Sequence, residues 1–124
     1  MEEELTNLIQ AFDRILKVVY EDRLRWMDTL VRDALQPESF FNYVIKMGLD
    51  LSSITEHIGQ PGGYDPYRIM GLEKTATDIE IRSRYRELLH KLHPDTAGVK
   101  GTDFLFQMVN TAYQQIATER HWSR

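Results

Sequence analysis

Residues 91–98 read KLHPDTAG. A run with helical periodicity ends here on His93, Pro94 and Asp95, and a small polar stretch follows. Pro94 biases His93 away from helical backbone angles and cannot itself extend a helix. Asp95 can hydrogen-bond to nearby backbone groups and favours a turn. Turn chemistry therefore accounts for the proline and the carboxylate. It does not ask for the imidazole of His93, which singles the triplet out as more than a connection.

Upstream, Thr77 and Glu80 fit a reciprocal capping pattern that opens a helix running to about Leu92. Ile81, Tyr85, Leu88, Leu89 and Leu92 form its apolar side, and Arg82, Arg84, Arg86 and Lys91 fall mostly on other faces. Downstream, a loop over His93–Gly101 is expected, then a last helix from about Asp103 to Ala117. Phe106, Val109, Ala112, Tyr113 and Ile116 recur along it at helical spacing. A short helix is expected over Pro66–Gly71.

The front of the chain predicts one long amphipathic helix. Leu5, Leu8, Ile9, Phe12, Ile15, Leu16, Val19 and Tyr20, then Met27, Leu30, Val31 and Ala34, recur three and four apart, and no Gly or Pro interrupts residues 2–36. Such a helix would be roughly 45–50 Å long, and Pro37 would stop it. A second helix from Pro37 or Glu38 to Gly48 and a third over 51–58, with Ser53 and Glu56 as its capping pair, complete the front. Pro61-Gly62-Gly63 is flexible punctuation and marks a boundary. The expected architecture is all-α. A helical region over 1–60 serves oligomerisation or partner docking, and a helical hairpin over 64–124 follows.

Bulk properties narrow the function. The 124 residues carry a formal net charge of -4 and no cysteine, which removes disulfides and thiolate metal sites. Residues 1–63 hold 6 Lys/Arg against 11 Asp/Glu, and residues 64–124 hold 9 against 8. An acidic front and a near-neutral back do not suit a nucleic-acid surface. No apolar run approaches the roughly 18 residues of a membrane span, and the acidic start does not suit a secretory signal. These features point to a cytoplasmic protein. His90 and His93 lie three apart without further ligands, so no metal or other cofactor is expected. His93 and Asp95 have no nucleophile beside them, so no enzymatic activity is expected either.

The stretch YDPYRIMGLEKTATDIEIRSRYRELLHKLHPD at 64–95, with FQMVNTAYQQI at 106–116, resembles the J-domain family. These are DnaJ-like co-chaperones of the seventy-kilodalton heat-shock proteins of DnaK type. Tyr67 with Gly71-Leu72 is similar to the family's opening motif, and His93-Pro94-Asp95 to its hallmark loop. The resemblance stops short of residues 1–60. It implies an antiparallel helical hairpin whose tip loop contacts the ATP-bound chaperone and stimulates ATP hydrolysis. The contact residues it implies are His93, Pro94 and Asp95, helped by the basic Arg82, Arg86 and Lys91. Arg82 and Arg86 are four apart and share a helix face, which can steer toward an acidic partner. Three departures stand out. Glu87 replaces a frequent basic residue, Thr96 follows the triplet where Arg or Lys is frequent, and the basic fourth helix is not evident. They motivate an alternative: a structural adaptor that works through residues 1–60, by docking a client or by self-association, with the hairpin as a scaffold.

Overall fold

The architecture follows from one helix that has to be apolar on more than one side. The computed structural model describes residues 3–4, 6–7, 10–11, 14, 20, 24–36, 38–46, 52–92 and 100–122. Its helices are α1 (Trp26–Ala34), α2 (Phe40–Lys46), α3 (Ser52–Glu56), α4 (Pro66–Ile69), α5 (Asp78–Leu92) and α6 (Lys100–Glu119). Among the described residues the only β feature is an isolated bridge between Ile58 and Tyr64, so the expected all-α class holds. Helix α6 lies at the centre, packed against α1, α2, α3, α4 and α5. Leu105, Met108, Val109, Ala112 and Ile116 are fully buried along it.

The 20-residue α6 begins earlier and ends later than its sequence pattern suggests. Its first turn is held by a tertiary contact. The backbone N–H of Gly101 donates to Asn42 Oδ1 at 3.1 Å. The amide of the same Asn42 donates to the carbonyls of Ala34 at 2.7 Å and Gln36 at 2.8 Å. One buried side chain thus satisfies both the orphan carbonyls at the end of α1 and an orphan amide at the start of α6. Gly101 is required at this crossing, because a Cβ there would collide with Asn42 and approach the Phe41 ring to 2.9 Å.

The expected long front helix is interrupted. Residues 3, 4, 6, 7, 10, 11, 14 and 20 are helical, but Leu24 and Arg25 form a turn. Arg25 takes φ -105° and ψ 36°, and α1 begins after it. The reason is visible in two aromatic side chains. Residues six apart in a continuous helix point about 120° away from each other. Here Tyr20 and Trp26 meet edge to face with centroids 5.4 Å apart. Both reach the α4 region: Tyr20 Oη donates to the carbonyl of Asp65 at 2.9 Å, and Trp26 Nε1 to that of Arg68 at 3.0 Å. The turn lets one stripe serve both anchors. The helix stop expected at Pro37 and the end expected at Gly48 lie outside the described residues.

Tyr20, Trp26, Met27, Val31, Ala34 and Phe41 share a single core with Ile58, Tyr67, Ile81, Leu88 and the buried face of α6. For Tyr20 and the α1 part of the front stripe, the partner is therefore the back of the same chain, together with α2 and α3.

Local signals fared unevenly. Thr77 does cap α5, its Oγ1 accepting from the Glu80 amide at 3.1 Å. Asp65 caps α4 by accepting from the Tyr67 amide at 2.9 Å. Gly59 and Gly71 adopt φ of 81° and 78°, the left-handed geometry that ends a helix. Ser53, expected to cap the third helix, is itself helical.

Candidate functional site

Helix α5 carries the described part of the site. Its first half runs alongside the last half of α6 in the opposite sense. Asp78, at the start of α5, meets Arg120 just past the end of α6, and Tyr85 meets Asn110 and Tyr113 further in. The α5–α6 pair is thus an antiparallel hairpin. Ile81, Leu88 and Leu92 are fully buried against it. His93, Pro94 and Asp95 follow Leu92 directly in sequence and lie outside the described residues.

The basic side chains of α5 divide into three environments. Arg86 is exposed and has no ion pair among the described residues. Arg82 is exposed and stacks on the Trp122 ring, its guanidinium carbon 4.2 Å from the centroid. Lys91 is exposed but pairs with Glu87 at 3.4 Å, one turn away. Burial pushes the Glu87 carboxyl up, but Arg84 and Lys91 more than reverse this and hold it below the usual range. The acidic residue at position 87 therefore occupies one of the three expected basic helpers.

Arg84 departs most from its sequence pattern. Expected on an outer face, it is buried to 3 % exposure. Its Nε donates to the carbonyl of Met70 at 2.7 Å, and its Nη2 to Asp28 Oδ1 at 2.9 Å. Nη1 faces Glu87 Oε1 at 3.3 Å as an ion pair. The guanidinium is tolerated in burial because Nε and Nη2 hydrogen-bond to a carbonyl and a carboxylate, while Nη1 makes no hydrogen bond and has a second carboxylate at ion-pair distance. One of those carboxylates comes from α1, so Arg84 ties the front segment to the hairpin. Sequence spacing gives no sign of this, since the partner is 56 positions away.

The far edge of α5 is held by the chain's last described residues. Arg120 donates to Asp78 Oδ1 at 2.6 Å, to Tyr67 Oη at 3.1 Å, and to the carbonyls of Lys74 and Ala76 at 3.0 and 2.8 Å. Trp122 Nε1 donates to Asp78 Oδ2 at 3.1 Å. The hydrogen bond from Arg120 leads the causes that keep the Asp78 carboxyl below its ordinary value, with Trp122 adding to it. Beside this edge Tyr85 and Tyr113 stack at 3.8 Å, and Tyr85 Oη donates to Asn110 Oδ1 at 2.6 Å. Burial, then the neighbouring Tyr113, pushes the Tyr85 phenol up. These side chains fix the hairpin's shape, and they show no arrangement of nucleophile, base and orienting group.

Among the described residues no group of three His, Asp or Glu side chains could hold a metal. No described helix is long and apolar enough to cross a membrane.

Comparison with known proteins agrees with this geometry. The DnaJ domain family matches residues 65–122. The DnaJ protein ERDJ3A of Oryza sativa subsp. japonica is 35 % identical over 69 residues, which is 56 % of this chain and 12 % of the relative. The chaperone protein DnaJ of Erysipelothrix rhusiopathiae is 42 % identical over 53 residues, 43 % of this chain and 14 % of the relative. DnaJ homolog subfamily C member 16 of Homo sapiens is 32 % identical over 56 residues, 45 % of this chain and 7 % of the relative. The chain thus spans a small fraction of each of these proteins, and no solved structure matches it significantly. The capped α5, its buried Ile81, Leu88 and Leu92, the antiparallel α6 and the matched stretch all lead to one assignment: residues 65–122 belong to the DnaJ domain family.

Proposed function

We propose that the chain is a DnaJ-like co-chaperone that binds a DnaK-type seventy-kilodalton heat-shock chaperone and stimulates its ATP hydrolysis. The observation that carries this reading is the DnaJ domain at residues 65–122, with the His93-Pro94-Asp95 triplet set between α5 and α6 in sequence. In this reading the chain is a ligand for another protein's ATPase and performs no chemistry of its own. The triplet supplies the essential contact. Arg86 and Arg82 supply charge on an exposed helix face, and Lys91 supplies less because Glu87 holds it. Charge of this kind acts on encounter and orientation and weakens as salt rises.

The test is single-turnover ATP hydrolysis by the DnaK-type chaperone of the same organism, with the wild-type chain or His93→Gln added. The expected result is stimulation by the wild type and none by the variant. Equal stimulation by both removes the proposal. The adaptor alternative draws on the paired state of Lys91 and on the front segment's place in the core. It requires that neither protein stimulates hydrolysis while a client, or a second copy of the chain, is still retained.

A further inference from the structure

Helices α1 and α5 flank a cleft of about 630 Å³. Six of its eight lining residues lie outside the part of the chain that matches the DnaJ domain. From α1 and the residues flanking it come Arg25, Asp28, Arg32 and Leu35, and from α5 come Glu87 and Lys91. The charges are unequal in availability. Both carboxylates are engaged by the buried Arg84, Asp28 at 2.9 Å and Glu87 at 3.3 Å. Arg25 is 62 % exposed at its side chain and only loosely paired to Asp28 at 3.5 Å. Arg32 is exposed and has no ion pair among the described residues. Leu35, at the end of α1, is 41 % exposed although most described large apolar side chains of the front are buried. The cleft therefore has a positive rim and an apolar anchor point, and both of its carboxylates are already engaged from below by Arg84.

Resting on the co-chaperone reading, we propose that this cleft extends the chaperone-docking surface. It would take an acidic segment of the same heat-shock chaperone that engages α5. The front helices then do more than brace the hairpin: Arg25 and Arg32 return the positive charge that Glu87 removes from α5. Lys91 is shared, because it lines the cleft and lies two residues before His93. Charge complementarity selects the occupant, since a basic or purely apolar segment would leave Arg25 and Arg32 facing it unpaired.

The test measures binding of the full chain to the ATP-bound chaperone at low and at high salt, comparing wild type, Arg25→Glu/Arg32→Glu, Arg86→Glu and His93→Gln. The double variant should bind about fivefold or more weakly at low salt, with the gap closing as salt rises. Arg86→Glu should also weaken binding. Wild-type affinity for the double variant, alongside weakened Arg86→Glu, overturns the cleft and leaves the co-chaperone reading standing. Full binding by His93→Gln and Arg86→Glu removes that reading, and the cleft proposal with it. Circular dichroism establishes folding of each variant. Should the double reversal unfold, Arg32→Gln, at an exposed position without an ion pair, carries the same comparison with a smaller expected loss.

Discussion

The hairpin and the front segment are joined to the same core by different means. The hairpin closes along its length: α5 packs on α6 with Ile81, Leu88 and Leu92 buried at helical spacing, and Asp78 and Arg120 fasten its open end. The front segment attaches at a few separated points. Tyr20 and Trp26 reach the carbonyls of Asp65 and Arg68, Asp28 reaches Arg84, and Asn42 reaches Gly101. Periodic packing tolerates small losses by spreading them. Point attachment concentrates the stabilisation in single side chains, several of them polar, whose loss leaves a buried partner unsatisfied. The domain match begins at residue 65, yet the physical unit reaches back at least to Tyr20.

The sharpest way to break this contrast is Trp26→Ala. Its indole is fully buried and its N–H holds the Arg68 carbonyl, so removal should cost about 3–5 kcal/mol. Because the core is shared, thermal unfolding followed by helical and by tyrosine signals should remain one transition at a lower temperature. Two separated transitions would show that front and hairpin fold independently. A smaller effect is expected from Asp28→Asn, which keeps the shape but removes the charge opposite Arg84. Asp28 is about a quarter exposed, so the cost is set at about 2 kcal/mol, below that of breaking a fully buried pair. Chemical denaturation measures it, and Arg84→Met in the Asp28→Asn background should recover part of the loss. The smallest effect belongs to the hairpin's own fastening. The Asp78 carboxyl titrates below its ordinary value because Arg120 and Trp122 bond to its ionised form. A group depressed on folding adds stability above its unfolded value, and that stability is lost as pH falls through the folded value. Melting temperature should therefore drop on acidification, and Asp78→Asn should flatten the acid limb by lowering the melting temperature slightly at neutral pH and less in acid, where wild type and variant converge.

The hairpin was legible in sequence because its instructions are local. Thr77 with Glu80, the Ile81–Leu88–Leu92 face and the helix-ending Gly71 each act within a few residues. Leu105 and Met108 escaped because a one-sided stripe was expected, whereas α6 is covered on several sides. The turn at Leu24–Arg25 escaped for a related reason: no Gly or Pro marks it, and only the meeting of Tyr20 and Trp26 with the α4 region requires it. Arg84 looked like surface charge because its partner, Asp28, lies far away in sequence. The motif residues His93, Pro94 and Asp95 were read from their order alone, and their role stays a proposal. Arg86 and Arg82 keep the exposure that role needs, and Lys91 keeps it with its charge shared.

Asn42 has one more consequence. Gly101 lies six positions after Asp95, so the stretch bearing the triplet runs from the end of α5 to a helix start whose amide is held by α2. Levering α2 away would strand that amide and, with the same stroke, the carbonyls of Ala34 and Gln36. A load applied to α2 would therefore reach, through one carboxamide, the start of the helix that follows the triplet in sequence.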